Sequence, residues 1–298
     1  MRRKAVMYRL LQSIILLYSN SLLAINVAIT IDDYPLPDSA LYSVNNRTER
    51  FIEAGKQFNC RFAFFCVGQH ARDRNDDALC KRLSDEGHYI ANHSMNHQHL
   101  SSMSLSNFEK EIIKAEQVLQ SNETFRKWFR YPYLDYGVDA KAGGSKEKLI
   151  GSFGVLTKLG YKEGYVTINT FDWFINTRLQ KAVQQNKTIN YDALRRVYLS
   201  LLDEWMDYYV DMYQTIVPDK EIVHVLLLHD NDLNALYLPD LLHMIQHKGW
   251  MLTSPEQAFN DVSWRTVLLE KAETIRIKPA SLSCDAIDQR LADDIVFE

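Results

Sequence analysis

The chain has 298 residues, of which 46% are hydrophobic and 24% are charged, and its formal net charge at pH 7 is -4. This composition suits one large globular domain or two small ones with ample core, and it excludes a low-complexity or disordered chain. The slightly acidic balance gives no electrostatic basis for binding nucleic acid.

The N-terminus has the pattern of a secretory signal peptide. A basic start at residues 1–4 is followed by a mostly apolar run from Leu10 to Leu17, and then by small and polar residues up to Ala24. We therefore expect cleavage after residue 24 and export to the periplasm or the extracellular space. The alternative is an N-terminal helix packed on the domain of a cytoplasmic protein. The apolar run is too short to span a bilayer comfortably, so no membrane span is expected.

Strand-like apolar runs alternate with helical patterns along the rest of the chain. The predicted strands are 26–31, 61–67, 89–91, 129–133, 165–168, 222–228 and 249–252. The predicted helices are 46–58, 76–86, 108–119, 149–159, 191–213 and 238–247, and a capping box at Ser106-x-x-Glu109 introduces the third. An alternation with a period of roughly 25–45 residues is typical of βα units and predicts an α/β fold with a parallel sheet, closed or nearly closed into a barrel.

The four cysteines leave the redox state open. Cys60 and Cys66 lie at the two ends of one predicted strand, about 20 Å apart at roughly 3.3 Å per residue, and cannot bond to each other. A bridge from Cys66 or Cys80 to Cys284 is one alternative for an exported protein, and four free thiols are the other. The sequence contains no Cys-x-x-Cys, which argues against a thiolate-ligated zinc site.

Polar residues follow five of the predicted strands, at the point where each strand ends. Because catalytic residues of parallel barrels lie at the carboxyl ends of the strands, we expect these side chains to converge. An Asp-Asp pair alone is more often a solvated turn, so the prediction depends on finding polar residues at five strand ends together. The five positions are Asp32-Asp33, His93, Arg130, Asp172 and His229.

Two imidazoles and one carboxylate would suit a mononuclear metal site. His93 and His97 are four residues apart and would share a face in helical backbone. With one carboxylate of the Asp32-Asp33 pair, they would leave coordination open for a water whose pKa the metal can lower towards about 7. The other carboxylate could then accept the water's proton.

His229 is a candidate general acid, because the amine that leaves a cleaved amide needs a proton. A capped core histidine is the alternative for this residue. Asp172 could hold His229 protonated, and Arg130 could orient a catalytic carboxylate. Trp173 and Tyr133, if they are not simply core aromatics, would provide an apolar wall for the face of a sugar.

Taken together, these segments resemble the polysaccharide deacetylases with a NodB-homology domain, carbohydrate esterase family 4, over about residues 26–262. The similarity runs through the family's five motifs in order. They correspond here to Thr30-Ile31-Asp32-Asp33, His93-Ser94-Met95-Asn96-His97, Arg130-Tyr131-Pro132-Tyr133, Asp172-Trp173 and Leu227-Leu228-His229. The resemblance implies a distorted (β/α) barrel of about seven parallel strands of the NodB-homology type. Residues 25–264 would form the catalytic domain and residues 265–298 an extension of unknown role.

The resemblance also implies a role for each motif residue. Asp32 would be the catalytic base, and the ligands of a divalent metal, expected to be zinc, would be Asp33, His93 and His97. The remaining roles are Arg130 as a contact of the base, the Tyr133 backbone N–H as a stabiliser of the oxyanion, Asp172 as the partner of His229, and His229 as the general acid.

The chain departs from the family's pattern at two points. Asn169 stands where the fourth motif usually has a first Asp, which removes a charge near the site. Tyr34-Pro35 follows the first motif where the family usually has Gly-Pro. We therefore expect Tyr34, with Trp173, to contact substrate, and we expect the long segment 177–221 to build a substrate-binding wall.

The sequence thus predicts a metal-dependent hydrolase that removes N-acetyl groups from an amino-sugar glycan, peptidoglycan or chitin-like, by cleaving an amide that is not a peptide bond. The alternatives are an O-deacetylase or a small-molecule amide hydrolase on the same fold, and a non-catalytic glycan-binding module. The expected partner is the glycan, and the oligomeric state is left open.

Overall fold

The structure is a computed structural model that describes residues 24–73, 77–218, 220–260 and 282–298. Its strands form one parallel sheet in the order β5-β4-β3-β2-β1-β6, with β7 paired to the start of β1. The strands are β1 (Asn26–Tyr34), β2 (Ala63–Cys66), β3 (Tyr89–Asn92), β4 (Phe125–Phe129), β5 (Lys162–Glu163), β6 (Val223–His229) and β7 (Met251–Leu252).

Helices connect and cover these strands. Those before β6 are α1 (Val44–Gln57), α2 (Gly68–Asp73), α3 (Asp77–Asp85), α4 (Leu105–Leu119), α5 (Lys146–Leu159), α6 (Asp172–Gln184) and α7 (Tyr191–Ile216). After β6 come α8 (Asp232–His247), α9 (Pro255–Asn260) and α10 (Cys284–Asp293). Within the described residues, no helix combines the length and apolarity that a bilayer span requires.

The sheet curls until its two edges nearly meet. Beyond β5 the chain reaches β6, where Ile168 bridges Leu226 in parallel. The N–H groups of Thr167 and Ile168 donate to Val225 O at 3.1 and 3.0 Å, and Leu227 N–H donates to Ile168 O at 3.0 Å. This curled sheet of seven parallel strands surrounded by helices confirms the predicted barrel-like α/β fold.

Strand β1 lies between β2 and β6 and separates two apolar regions. Its residues Val27, Ile29 and Ile31 pack into the large cluster under the helices, whereas Ala28 packs with side chains inside the curl. Both faces are therefore buried, as is usual for a parallel sheet whose crossover helices cover it. Because side chains alternate along a strand, Thr30 and Asp32 follow Ala28 on the inner face.

Residues 282–298 belong to the same core. Leu282, Ile287, Leu291 and Val296 are buried in the large apolar cluster. Arg178 of α6 pairs with Asp288 at 2.6 Å, and the C-terminal residues pair antiparallel with the loop before α7. The predicted extension thus packs on α6 and α7 where it is described. Its predicted boundary at residue 264 lies outside the described residues, as does the predicted signal segment, residues 1–24, except for Ala24.

Several predicted elements are shifted in the structure. The strand predicted at 129–133 is wrong: β4 ends at Phe129, and a 3₁₀ turn (Pro132–Leu134) follows, because Pro132 has no N–H to donate to a strand. Helix α4 begins two residues earlier than the predicted capping box, since Ser104 accepts from Asn107 N–H. The strand predicted at 165–168 is reduced to one bridge at Ile168, because the carbonyls before it bond the side chain of Arg130.

One further expectation fails. The long segment 177–221 builds no wall around the predicted site residues, because the apolar face of α7 is buried in the core and no described residue of the segment lines the cavity that contains them. The four cysteines are free thiols, which is one of the two alternatives that the sequence leaves open. The sulfurs of Cys66 and Cys80 lie 3.9 Å apart.

Candidate active site

A cavity of about 430 Å³ lies at the carboxyl edge of the curled sheet. It is lined by Asp32, Asp33, His93, His97, Tyr133, Leu134, Asn169, Trp173, Leu227 and His229. Seven of the ten side chains predicted for the site line it, and Arg130 and Asp172 lie beneath its floor. A larger cavity of about 710 Å³ opens near the amino-terminal ends of β1 and β6, and none of the predicted residues lines it.

Asp33, His93 and His97 form a compact cluster of ligand atoms. Asp33 Oδ1 lies 3.3 Å from His93 Nε2 and 3.0 Å from His97 Nε2, and the two nitrogens are 3.1 Å apart. Four-coordinate zinc with bonds of about 2.0–2.1 Å has ligand atoms roughly 3.3 Å apart, so these spacings fit such an ion. Asp33 Oδ1 is buried and has no hydrogen-bond partner among the described residues, as a ligand atom would.

The charge of Asp33 and the tautomer of His93 also suit a cation at this cluster. Burial alone would raise the pKa of Asp33, but the imidazoles of His93 and His97 hold that pKa well below its usual value, so the carboxylate is ionised. Because a carbonyl can only accept, His93 Nδ1 donates to Arg130 O at 2.9 Å. In the neutral imidazole that bond places the single ring proton on Nδ1, so Nε2 of His93 can bind a metal.

The two histidines do not share a helix face, contrary to the prediction. The segment from His93 to His97 is a loop in which Ser94 and His97 have positive φ angles of 68° and 52°. Buried Glu111 of α4 holds this loop by accepting from Asn96 N–H at 2.8 Å and from Asn96 Nδ2 at 2.8 Å. Sequence reasoning missed Glu111, which resembles any acidic residue on an exposed helix face.

Asp32 is held apart from the cluster by Arg130. The Nη1 group of Arg130 lies 2.9 and 3.0 Å from the two oxygens of Asp32, and both side chains are almost fully buried. The guanidinium also donates from Nη2 to Thr30 Oγ1 at 3.2 Å and from Nε to Gly164 O. A charge-assisted pair fixed at this many points leaves the carboxylate of Asp32 one orientation.

His229 ends β6 and pairs with buried Asp172 at the start of α6. Asp172 Oδ1 accepts from His229 Nδ1 at 2.7 Å, and Oδ2 accepts from His229 N–H at 2.8 Å. Burial alone would lower the pKa of His229, but the charge of Asp172 outweighs it and raises that pKa to about 9. The imidazole is therefore protonated at neutral pH.

Two asparagines complete the support of Asp172, and sequence reasoning missed both. Asn234 Nδ2 donates to Asp172 Oδ2 at 2.5 Å, and Asn231 Nδ2 donates to the same oxygen at 3.1 Å. Asn234 also accepts from the hydroxyl of Tyr198. Only the short spacing after His229 could have pointed to them.

The prediction that Tyr34 contacts substrate is wrong. Strand β1 continues through Asp32 and Asp33 to Tyr34, whose ring is fully buried and whose hydroxyl lies 2.8 Å from Thr48 Oγ1. The loop that follows is anchored by buried Arg47, which donates to Leu36 O at 2.7 Å and pairs with Asp230 at 2.7 Å. Tyr34, which stands where the family usually has Gly, thus anchors the end of β1 inside the domain.

Exposed aromatic rings flank the cavity. Tyr133 and Trp173 are 59% and 47% exposed, which is unusual for large aromatic side chains in a folded domain. The ring of Tyr133 stacks on His99 with centroids 3.8 Å apart and an interplanar angle of 9°. Sequence reasoning assigned no role to His99, yet it supports the aromatic rim.

The fold is a curled parallel α/β sheet with the motif residues at or beneath the cavity on its carboxyl edge. Residues 22–148, which are less than half of the chain, match the sequence model of a family described as polysaccharide deacetylase. The match includes the segments with Asp32, His93 and Arg130, whereas Asp172 and His229 lie beyond it.

Curated relatives carry deacetylase names. The chain is 31% identical over 108 residues to a peptidoglycan-N-acetylglucosamine deacetylase of Bacillus cereus, covering 36% of each chain. It is 29% identical over 96 residues to a chitooligosaccharide deacetylase of Rhizobium leguminosarum bv. trifolii, covering 32% of this chain and 40% of the relative. The matches thus span less than half the length of these relatives.

Solved structures share the fold. A family 4 carbohydrate esterase from Streptomyces lividans in complex with acetate aligns with a TM-score of 0.50 at 22% identity, over 78% of this chain and 95% of that chain. A CE4 family pseudoenzyme from Bacillus anthracis aligns with a TM-score of 0.53 at 15% identity, over 80% and 66%. Because the second is a pseudoenzyme, the shared fold leaves activity to be argued from the site.

Proposed function

We propose that this protein is a metal-dependent hydrolase that removes N-acetyl groups from a glycan containing amino sugars. The observation that carries the proposal is that one cavity gathers a carboxylate held by an arginine, an Asp-His-His cluster and a protonated histidine. Each group can perform one part of amide hydrolysis, and all lie within reach of one bound substrate.

The proton steps fall to Asp32 and His229. Asp32 takes a proton from the water that attacks the acetyl carbonyl, and its pairing with Arg130 keeps an oxygen aimed at that water. His229 gives the proton of its Nε2 to the amine as the C–N bond breaks, since its Nδ1 is committed to Asp172. The products are acetate and a free amino sugar.

Asp33, His93 and His97 would hold the metal. We propose zinc, because two imidazoles and a carboxylate that leave coordination open suit catalytic zinc. The ion would acidify the attacking water and polarise the carbonyl. The backbone N–H of Tyr133 would add a hydrogen bond to the oxyanion, and removing one such donor typically costs about 3 kcal/mol.

Amide cleavage is favoured over ester cleavage by the state of His229. An alkoxide can leave an ester with little help, whereas an amine must be protonated, and His229 with a pKa of about 9 is a ready acid at neutral pH. The alternative functions are O-deacetylation and amide cleavage on a small molecule, and assays on a panel of substrates would distinguish them from N-deacetylation.

A glycan is the substrate class that the cavity's rim supports. The exposed rings of Tyr133 and Trp173 offer apolar faces of the kind that pack on pyranose rings. Relatives are named as deacetylases of peptidoglycan N-acetylglucosamine, of peptidoglycan N-acetylmuramic acid and of chitooligosaccharides. We propose a substrate of this kind, and export to reach it.

The test is acetate release by zinc-loaded protein from tetra-N-acetylchitotetraose, peptidoglycan and acetylxylan. Asp32→Asn should keep one zinc per chain but lose activity by on the order of 10²–10⁴-fold. Asp85→Asn, which changes an exposed carboxylate paired with Lys81, is the matched control and should remain active. Full activity of Asp32→Asn with zinc bound would refute the assignment of the base, and release from acetylxylan alone would establish the O-deacetylase.

A further inference from the structure

Asn169 sits in the wall of the catalytic cavity, on a backbone segment fixed from both sides. Before it, Ile168 is fully buried and bridges Leu226 of β6. After it, Thr170 is buried, and its hydroxyl lies 2.8 Å from Leu227 O. The two flanking side chains are thus committed to the core, while the half-buried side chain of Asn169 lines the cavity between them.

The side-chain amide of Asn169 has no hydrogen bond with any residue that the structure describes. Its neighbours in the wall differ in this respect, because Asp32 is paired with Arg130 and His229 with Asp172. An amide offers two donors and an acceptor, and leaving them unused beside an apolar wall is unfavourable unless water or a ligand satisfies them. Its fixed backbone means that little entropy is lost when a ligand binds it.

We propose that Asn169 is a substrate-binding residue that hydrogen-bonds a hydroxyl of the amino sugar carrying the scissile amide. This inference rests on the proposed function. A pyranose bears hydroxyl or ether oxygens close to its acetamido group, and a hydroxyl both donates and accepts, as the amide does. Because Asn169 shares the cavity wall with His229, it lies on the side where the sugar's nitrogen receives its proton.

An amide suits this position better than a carboxylate does. The cavity and its floor already hold Asp32, Asp33 and Asp172. An aspartate at 169 would accept but not donate, and it would add a fourth negative charge beside His229. Asn169 keeps this part of the wall neutral and able to donate, so it also admits a sugar with an anionic substituent.

The test compares steady-state kinetics on tetra-N-acetylchitotetraose for zinc-loaded wild type, Asn169→Ala and Asn169→Asp. Loss of a neutral hydrogen bond should raise KM roughly three- to tenfold, with kcat within about twofold. Asn169→Asp should also raise KM, because it removes the donors. Asn45→Ala, at an exposed position in the first turn of α1, is the matched control and should behave as wild type.

A second measurement separates this inference from the proposed function. Calorimetry with the same tetrasaccharide on Asp32→Asn, with and without Asn169→Ala, reports binding without turnover, and the double variant should bind roughly three- to tenfold more weakly. If wild type releases no acetate but this difference persists, the proposed function fails and the role of Asn169 stands. Unchanged KM and affinity, or a fall in kcat alone, would overturn the role of Asn169.

Discussion

Replacing Asp172 with asparagine tests the electrostatics of the site directly. In the metal-free protein the pKa of His229 is about 9, against an ordinary value of 6.5, so the folded surroundings favour the imidazolium by about 3 kcal/mol at 1.36 kcal/mol per unit. Burial opposes that charge, and Asp172 is the largest favourable cause. Without the carboxylate, the pKa of His229 should fall below 6.5.

The assay is an NMR titration of the imidazole signals of metal-free wild type and Asp172→Asn. Exposed His247 gives an internal control that should titrate identically in both proteins. Because the folded pKa of His229 is raised, its stabilising contribution is fully present below pH 6.5 and is lost as the pH rises through 9. The free energy of unfolding of wild type should therefore decrease over this window, and the variant should lack that contribution.

Asn231 and Asn234 both donate to a carboxylate oxygen of Asp172, and an asparagine side chain has only one oxygen to accept such bonds, so Asp172→Asn should lose some stability. Circular dichroism must first show that the variant is folded. A folded variant whose His229 still titrated near 9 would refute the reasoning. The high pKa would then come from the carboxylates of the metal cluster rather than from Asp172.

Three further outcomes follow from groups around the site and in the core. Glu111→Gln should loosen the loop that carries the two histidines and weaken zinc affinity about 10–100-fold in competition with a chelator, with activity restored by excess zinc. Burial lowers the pKa of His88 to about 4, so the free energy of unfolding in urea should fall by up to about 3 kcal/mol as the pH drops from 6.5 to 4. His88→Asn should show a smaller fall over this pH range. If the variant and wild type lost the same stability, His88 would be excluded as the cause. Gly164→Ala should lower the free energy of unfolding in urea by about 1–3 kcal/mol, because the added Cβ would lie 2.4 Å from the Phe65 ring. Gly154→Ala, with open space around the added Cβ, should not lower it.

Sequence patterns predicted the elements whose position depends on the hydrophobicity of neighbouring residues in the chain. Buried parallel strands are apolar on both faces, so β1 and β6 were visible as continuous hydrophobic runs. The segment 165–168 is also largely apolar, but it forms only one bridge, at Ile168, because Arg130 bonds the carbonyls of Gly164 and Tyr165. A long-range bond of this kind leaves no mark in the local pattern.

In the candidate site, the motif residues could be predicted from the sequence, whereas the residues that support them could not. The motif residues lie at strand ends and could be read from order and spacing, and the structure brings them to one cavity. The residues that hold them, such as Glu111 and Asn234, lie on helices and resemble ordinary surface or helix positions in the sequence. Tyr34 shows the opposite error, since a residue beside a motif was taken as exposed although its ring completes the core.

Arg130 couples the two halves of the site through one residue. Its side chain fixes Asp32, while its carbonyl sets the proton position on His93. A small shift of the backbone at the end of β4 would therefore disturb the proposed base and the proposed metal ligand together. If Asp32 and His93 have the proposed roles, metal affinity and base strength are linked through this strand end, and a substitution that changes one should change the other.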